Sequence, residues 1–283
     1  MSLQKYRGLR LKRPTRRGFV PTPPLIYEIV LERIGKLLPK AEGQTHLDIG
    51  AGNGLLLRLV QERFGLEQCA CDYTDEFIKY SAVSIDRVNL DEQRLPYSDS
   101  RFDLVTCVET IEHLENFRAL LREIYRVLKP AGVVIITTPN ILNLRSRLRF
   151  LTFGFHSMFG PLRVQRQENF DTRGHISPTS WFYLGHALLQ TGFCDLDVTV
   201  DRFQRRSFLS LAILYLPIRL MSALNLGLER RSNIASIDSD NESLARDAAR
   251  TPLLLGRTLI ISARKPAVSS RASRGSGDGV KNC

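Results

Sequence analysis

A glycine-rich stretch at residues 47–54, Leu-Asp-Ile-Gly-Ala-Gly-Asn-Gly, constrains the fold more than any other feature. Residues 45–49 read as a short strand, and the apolar periodicity of residues 55–64 predicts a helix directly after the loop. The glycines lack a Cβ atom where the backbone must turn sharply and approach a ligand. Amides at the start of the helix favour a negatively charged group. The stretch therefore predicts a strand, a ligand-binding loop and a helix.

The spacing of the glycines excludes two common phosphate-binding loops. The dinucleotide fingerprint G-x-G-x-x-G needs a third glycine where this chain has Leu55 or Leu57. The P-loop needs Lys followed by Ser or Thr after its last glycine, where this chain has Leu55 and Leu56. The pattern that this chain does contain is an acid, Asp48, followed by a glycine at every second position: Gly50, Gly52 and Gly54.

A second acid lies at the spacing expected of a ribose-binding residue. Residues 68–72 predict a second strand that ends in Asp72. In a doubly wound sheet, an acid about 20 residues after the glycine loop accepts hydrogen bonds from ribose hydroxyls. Residues 74–76 also suit a helix start, so a helix cap is the alternative role. The preceding loop favours ribose binding.

Residues 102–140 contain four short motifs in order: Phe-Asp-Leu-Val, Glu-His-Leu-Glu-Asn, Arg-Val-Leu-Lys-Pro-Ala-Gly and Thr-Pro-Asn. The first predicts a buried strand, residues 101–109. Apolar residues from 117 to 128 recur at helical spacing, and Lys-Pro-Ala-Gly at 129–132 is typical of a helix end. A fifth strand is predicted at 133–138.

Together with the glycine loop, these motifs resemble the class I S-adenosylmethionine-dependent methyltransferases, in particular the subgroup that includes the ubiquinone-biosynthesis O-methyltransferases. The resemblance covers residues 45–140, about a third of the chain. It implies an α/β fold with a doubly wound, mostly parallel sheet of seven strands, the last of them antiparallel. It also implies S-adenosyl-L-methionine as cofactor. The residues expected to bind it are Asp48, Gly50, Ala51, Gly52, Gly54, Asp72, Asn89, Asp91 and Val108.

Two of these residues compete for one role, which the resemblance places near the adenine. Asn89 lies on a third strand predicted within residues 85–97, and Asp91 follows it before a Leu-Pro turn. A solvated loop acid is the alternative for Asp91. The resemblance also implies that Val108 contacts the cofactor through its backbone.

An alcohol or phenol acceptor benefits from a base near neutral pKa, and two histidines are candidates. His113 follows the fourth strand, at the carboxyl edge where such sheets bind ligands. His175 lies near the end of residues 141–177, where the resembling family has its variable, substrate-facing insertion. A structural hydrogen bond is the alternative for each. Glu109 flanks the same edge, and Glu112 either orients His113 or caps the next helix.

Later elements complete the predicted sheet. A helix is predicted from Thr179 to Gly192, a sixth strand near 195–200, and a seventh at 258–262 after an acidic linker, 238–247. The five cysteines lack paired metal-ligand spacing, so no metal site is predicted. Cys69, Cys71 and Cys107 fall in predicted buried strands, and a reducing cytoplasmic compartment is expected.

The formal net charge of +11 is unevenly distributed. Residues 1–24 contain seven Lys and Arg and no acid, which predicts a basic arm and not a secretory signal. A methyltransferase domain is expected at 25–266, followed by a disordered tail, 267–283. Further arginines follow the fifth strand: Arg145, Arg147, Arg149, Arg163, Arg166, Arg173, Arg202, Arg205 and Arg206. They form either a solvated surface or a contact with an anionic partner such as a lipid headgroup, a sugar diphosphate or RNA.

Residues 208–228 are strongly apolar and belong to an apolar segment and linker at 207–256. They help to decide whether the arginines form a solvated surface or contact an anionic partner. Pro217 and Arg219 near the middle argue against a membrane span. The stretch is either a buried helical hairpin or a broken amphipathic element at an anionic membrane surface. The combination of an apolar stretch with a basic surface favours a small-molecule or lipid-linked acceptor and a peripheral membrane location. RNA methylation and a non-catalytic scaffold are the alternative functions.

Overall fold

The computed structural model describes residues 25–40, 42–162, 174–231 and 237–267. The predicted basic arm lies outside the described residues, as do residues 163–173 of the predicted insertion and nearly all of the predicted tail. In the described chain, helices follow the first, fourth and fifth strands, which is typical of a parallel sheet covered on both faces.

One mixed sheet of seven strands forms the centre of the described fold. The strands are β1 Thr45–Ile49, β2 Glu67–Asp72, β3 Ile85–Arg87, β4 Phe102–Val108, β5 Leu128–Pro139, β6 Cys194–Val200 and β7 Thr258–Arg264. Their order in the sheet is β3-β2-β1-β4-β5-β7-β6. Only β7 runs antiparallel to its neighbours, β5 and β6. This arrangement confirms the predicted doubly wound sheet with an antiparallel last strand.

Helices cover both faces of the sheet. They are α1 Leu25–Leu37, α2 Leu55–Phe64, α3 Phe117–Val127, α4 Leu144–Phe153, α5 Trp181–Thr191, α6 Phe208–Arg231, α7 Glu242–Asp247 and α8 Thr251–Leu255, with short 3₁₀ helices at Ile111–His113 and Arg205–Ser207. Successive strand residues face opposite ways. Leu104 and Ile135 therefore pack under α1 and α2, whereas Val105 and Val134 pack under α3 and α5.

Local signals explain the termini of the central helices. The Asn116 side chain accepts a hydrogen bond from the Ala119 amide at 3.1 Å and so caps α3. Ser180 caps α5 in the same way, and Gly192 ends α5 in a left-handed conformation with φ 104°. The helix predicted from Thr179 to Gly192 is confirmed.

Three regions differ from the sequence predictions. The third strand is only three residues long, and Leu95 and Tyr97, which follow it, are buried in the core. The predicted acidic linker contains a helix, α7, which Leu244 anchors by its burial. The apolar segment is one continuous helix, α6, with no buried residue, so the buried hairpin is wrong.

Asn140, in the Thr-Pro-Asn motif, joins the end of β5 to the start of β7. Its side-chain amide is buried and donates to the carbonyl oxygens of Leu253 at 2.8 Å and Gly256 at 3.0 Å. Its side-chain oxygen accepts from the Leu142 amide at 2.9 Å. These bonds fix the chain where the predicted insertion, residues 141–177, leaves the sheet.

We expect Asn140→Ala to lower the free energy of unfolding by about 2–4 kcal/mol, because it leaves buried backbone groups without partners. Urea unfolding measures this change. Asn225→Ala is the matched control, since it removes an exposed amide whose one bond among the described residues is to the Met221 carbonyl. Equal effects of the two substitutions would contradict the anchoring role of Asn140.

Candidate active site

The carboxyl ends of three strands lie level with one another. Ile49 on β1 pairs with Cys71 on β2 and with Cys107 on β4. The loop after β1 therefore meets the residues that follow both neighbours. The Gly50 amide donates to the Cys71 carbonyl oxygen at 2.9 Å, which ties the glycine loop to β2.

Gly50 and Gly52 are needed for different reasons. A Cβ atom on Gly50 would lie 2.2 Å from Thr110 Oγ1, so this glycine lets the loops after β1 and β4 touch. Gly52 has a φ of +53°, which side chains rarely adopt, and a Cβ atom there would meet nothing within 4 Å. Open space beside a bare backbone is what a bound ligand requires. Gly54 is restricted by packing against Ile78.

Asp72 lies at the rim of that open space. Its Oδ2 accepts a hydrogen bond from the Gly52 amide at 2.8 Å, and the residue is partly exposed. No helix follows β2 among residues 73–84, so the helix-cap alternative is wrong. The structure thus brings Gly52 and Asp72 together as the ribose-binding prediction requires, while ribose binding itself stays a prediction.

Asp48 is buried, and its contacts are internal. Its Oδ1 accepts from Thr106 Oγ1 at 2.6 Å, and Thr106 Oγ1 lies 2.7 Å from His46 Nε2. Because the single Thr106 proton goes to the carboxylate, His46 Nε2 donates to Thr106. Burial raises the pKa of Asp48 to about 7 and lowers the pKa of His46 to about 3. Asp48 therefore links β1 to β4, and its role in cofactor binding stays a prediction.

The remaining predicted cofactor residues have specific positions. Ala51 is buried against Leu57 and Ala70. Val108 is the last residue of β4, and its carbonyl oxygen accepts from Thr110 Oγ1 at 3.1 Å. Contact of either residue with a cofactor stays a prediction.

The two candidates for the adenine side both hold loops in place. β3 ends at Arg87, so the prediction that Asn89 lies on this strand is wrong. The Asn89 side chain accepts from the Asp91 amide at 3.2 Å. Asp91 Oδ1 accepts from the amides of Glu115 at 2.8 Å and Asn116 at 3.1 Å, so Asp91 is not a solvated loop acid.

The amides at the start of α2 are less available than predicted. The Gly54 amide donates to the Ala51 carbonyl at 2.9 Å, and the Leu55 amide donates to Asn53 Oδ1 at 3.0 Å. The loop itself therefore occupies these two donors, and binding of a ligand by the other amides at the start of α2 stays a prediction.

The two candidate bases, far apart in sequence, lie side by side. The His113 Nδ1–H donates to the Gly174 carbonyl oxygen at 2.8 Å, which leaves Nε2 as the acceptor of the neutral ring. The ring centroids of His113 and His175 are 4.8 Å apart. The amides of Ile176 and Ser177 donate to the Glu112 carbonyl at 2.8 and 3.0 Å. The end of the insertion is thereby fixed on the 3₁₀ helix after β4.

Glu112 has neither of its two predicted roles. Its carboxylate is buried and makes no hydrogen bond with the described residues, and α3 is capped by Asn116 instead. Burial raises its pKa to about 8, with a smaller contribution from Glu109. Glu112, His113 and His175 each offer a ligand atom, and these atoms lie within 4.8 Å of one another. Such a cluster can share a proton or hold a divalent cation.

Glu109 is a site residue that the sequence reasoning left without a role. It has a left-handed backbone with φ 50°, which is uncommon outside glycine and is typical of functional sites. Its amide donates to Thr137 Oγ1 at 2.9 Å, and burial raises its pKa to about 7. Its position directly after a buried strand was the available signal. Tyr27 and Arg257 also lie close enough to influence this edge, but only tertiary contacts bring them there.

Two arginines of the insertion, Arg147 and Arg149, hold backbone carbonyl groups. Arg147 donates to the carbonyls of Leu142 at 2.6 Å and Ala248 at 2.7 Å. Arg149 donates to the carbonyls of the loop after α4, including that of Phe159 at 3.2 Å. These two residues are therefore not simply solvated surface arginines, and contact with an anionic partner stays a prediction. Arg163, Arg166 and Arg173 lie outside the described residues.

The sheet order, the open Gly52 loop and the acid at the end of β2 define a methyltransferase of the S-adenosylmethionine-dependent class. A family model described as a methyltransferase domain matches residues 26–198, more than half of the chain. The chain therefore belongs to the methyltransferase domain family.

Relatives with known names and structures agree with this membership. The chain is similar to a ubiquinone biosynthesis O-methyltransferase of Caulobacter vibrioides, with 32% identity over 144 residues, 48% of this chain and 56% of the relative. It is also similar to phosphoethanolamine N-methyltransferase 2 of Caenorhabditis elegans, with 32% identity over 119 residues, 38% of this chain and 26% of the relative. The chain thus spans about half the length, or less, of these relatives. A SAM-dependent methyltransferase structure from Archaeoglobus fulgidus shares the fold, with a TM-score of 0.52, 22% identity and coverage of 84% of this chain and 94% of that one.

We expect Gly52→Val to abolish binding of S-adenosylhomocysteine, because the new side chain fills the open space beside Asp72. Titration calorimetry measures this. Gly43→Val is the matched control, since Gly43 has a φ of +74° and open surroundings but lies before β1. Unchanged affinity of the Gly52 variant would place the ligand elsewhere.

We expect Glu112→Gln to make stability less dependent on pH. The pKa of Glu112 rises from 4.5 to about 8 on folding, so its favourable contribution is complete below about pH 4.5 and is lost as the pH rises through 8. The variant should match the parent near pH 4 and exceed it at pH 8 by an amount on the order of a few kcal/mol. Urea unfolding tests this, with the exposed Glu76→Gln as control. No gain at pH 8 would contradict a buried, uncompensated carboxylate.

Proposed function

We propose that this chain transfers a methyl group from S-adenosylmethionine to a hydroxyl oxygen of a small, largely apolar acceptor. Phenols, quinols and lipid-linked sugars belong to this class. The observation that carries the proposal is the orientation of His113. Its Nδ1–H is bound to the Gly174 carbonyl, so Nε2 is left to take a proton at the carboxyl edge of β4.

The described residues fit the cofactor. Gly52 leaves open space beside Asp72, whose carboxylate is suited to hydrogen bonds from a ribose. When bound, S-adenosylmethionine supplies a methyl group on a positively charged sulfur, ready for in-line displacement. The protein holds the acceptor in line and removes its proton.

The surroundings of His113 support an apolar acceptor. His175 lies between His113 and Phe159, with 5.3 Å between the ring centroids of His175 and Phe159. Burial lowers the pKa of His175, and the neighbouring His113 lowers it further. His175 therefore stays neutral and does not repel a positively charged sulfur. Aromatic rings and a neutral imidazole suit an aromatic or lipid-like hydroxyl compound better than a charged one.

The relatives support methyl transfer but differ in the acceptor atom. One is named an O-methyltransferase and the other an N-methyltransferase. A hydroxyl acceptor needs a base that takes its proton, and His113 Nε2 is left as an acceptor because Nδ1–H donates to the Gly174 carbonyl. The presence of this base favours an oxygen acceptor over a nitrogen acceptor.

The geometry of Glu112, His113 and His175 favours a second way of activating the hydroxyl. Their ligand atoms lie within 4.8 Å of one another, so a divalent cation held there would lower the pKa of a bound hydroxyl directly. Chelation followed by return of Mg²⁺, Mn²⁺ or Zn²⁺ distinguishes the two routes. Turnover that survives chelation assigns the proton to His113. Turnover that is lost and then restored assigns the activation to the cation.

We expect His113→Asn to lower turnover about 10²–10⁴-fold while leaving S-adenosylhomocysteine affinity unchanged. The Asn side-chain amide can still donate to the Gly174 carbonyl, so the loop is kept while the base is removed. His186→Asn, on α5, is the matched control. Full turnover of the His113 variant would exclude His113 from the chemistry.

The acceptor class is tested by transfer of a tritiated methyl group into fractionated cell extract. The proposal predicts label in the lipid or small-molecule fraction. Label in RNA would favour an RNA methyltransferase instead. Failure of the chain to bind S-adenosylmethionine at micromolar concentration would favour a non-catalytic scaffold.

A further inference from the structure

The longest helix of the described chain turns its apolar side chains outward. α6 has 24 residues, and none of them is buried. Its outward stripe recurs at spacings of three and four residues, as on one face of a helix. The stripe consists of Leu209, Ile213, Leu216, Leu220, Leu224 and Leu228, each more than half exposed. A helix on a water-facing surface normally carries polar residues on this face.

A second apolar surface lies next to this stripe. Arg147 of α4 and Ile218 and Met221 of α6 line one groove, so the two helices are neighbours. On α4, Leu151 is 80% exposed and Phe153 is 57% exposed. Together the helices present an apolar area larger than the scattered exposed residues of an ordinary surface, which marks it as a site of contact.

Positive charge surrounds the apolar stripe. Arg205 and Arg206 precede α6, and Arg230 and Arg231 end it. Arg230 is paired with Glu242, whereas the other three make no ion pair with a described residue. Free arginines at both ends of an apolar helix complement anionic headgroups, at about 1 kcal/mol per arginine near such a surface.

This charge pattern disfavours a second copy of the chain as the covering partner. Glu229 is the only acid among residues 208–231. If two α6 helices packed face to face, arginines would meet arginines in either the parallel or the antiparallel orientation. A bilayer that contains anionic lipid offers acyl chains to the apolar stripe and negatively charged headgroups to the arginines.

The described contacts favour a helix that lies in the membrane interface. Arg205–Arg231 is long and apolar enough to cross a bilayer by length and composition. The inner side of α6, however, packs against α7 and α8. Arg219 lies near the helix centre with its guanidinium over the Tyr215 ring, and Pro217 interrupts the backbone hydrogen bonds nearby. Both features are costly in a spanning segment.

We propose that the outward face of α6, together with the exposed apolar residues of α4, docks this chain on an anionic phospholipid surface. α6 lies parallel to the membrane, with its leucines among the acyl chains and its terminal arginines on the headgroups. The inference does not depend on which atom the enzyme methylates.

Flotation of the full chain with lipid vesicles tests the proposal. We expect binding to vesicles of phosphatidylcholine with phosphatidylglycerol, and at least about tenfold weaker binding to phosphatidylcholine alone. Leu216→Glu should weaken binding about tenfold or more, because it places a charge in the apolar stripe. Leu216 is 75% exposed, so folding should be retained. Gln190→Glu adds the same charge to the exposed face of α5 and should leave binding unchanged.

A second variant keeps the test decisive if Leu216→Glu fails to fold. Arg205→Gln combined with Arg206→Gln should remove most of the preference for phosphatidylglycerol while leaving the apolar stripe intact. Absence of vesicle binding by the parent chain, equal binding by the Leu216 and Gln190 variants, or a dimer that Leu216→Glu disperses would overturn the proposal. Resistance of the bound chain to alkaline carbonate extraction would also overturn it, since that result indicates a spanning helix.

Discussion

The site depends on the register of β1 with its two parallel neighbours. Because Ile49 pairs with both Cys71 and Cys107, the loops after β1, β2 and β4 emerge at one level and touch. The contact between Gly50 and Thr110 leaves no room for a side chain at position 50. The buried bond from Thr106 to Asp48 holds the same register from within the sheet. A slip of one residue would turn the side chains of β1 to the opposite face and separate Gly52 from Asp72.

Much of this arrangement could be predicted from the sequence because its signals are local. The strand, loop and helix around the three glycines, the acid at the end of β2, and the helix from Thr179 to Gly192 follow from periodicity, caps and glycine. The antiparallel last strand came from the family resemblance, and the topology confirms it. His113 was predicted from its position after β4, which fixes the edge but not the orientation of the ring.

The remaining features depend on contacts between distant residues. The pairing of His113 with His175 arises because the Glu112 carbonyl accepts from Ile176 and Ser177. Nothing near either histidine in sequence predicts that contact. Asn89 and Asp91 were placed by analogy, whereas β3 ends before them and their side chains hold turns. For α6, composition alone does not separate a buried hairpin from an exposed helix, and only tertiary packing shows which face is covered.

The central claim is that S-adenosylmethionine binds in the open space beside Gly52, next to the carboxylate of Asp72. Calorimetric titration of S-adenosylhomocysteine into the parent chain, Asp72→Asn and Asp75→Asn tests it most directly. The account predicts binding by the parent, affinity at least about tenfold lower for Asp72→Asn, and unchanged affinity for Asp75→Asn, whose exposed carboxylate lies outside the loop. Equal affinity of the parent and Asp72→Asn, or no binding by the parent, would contradict it.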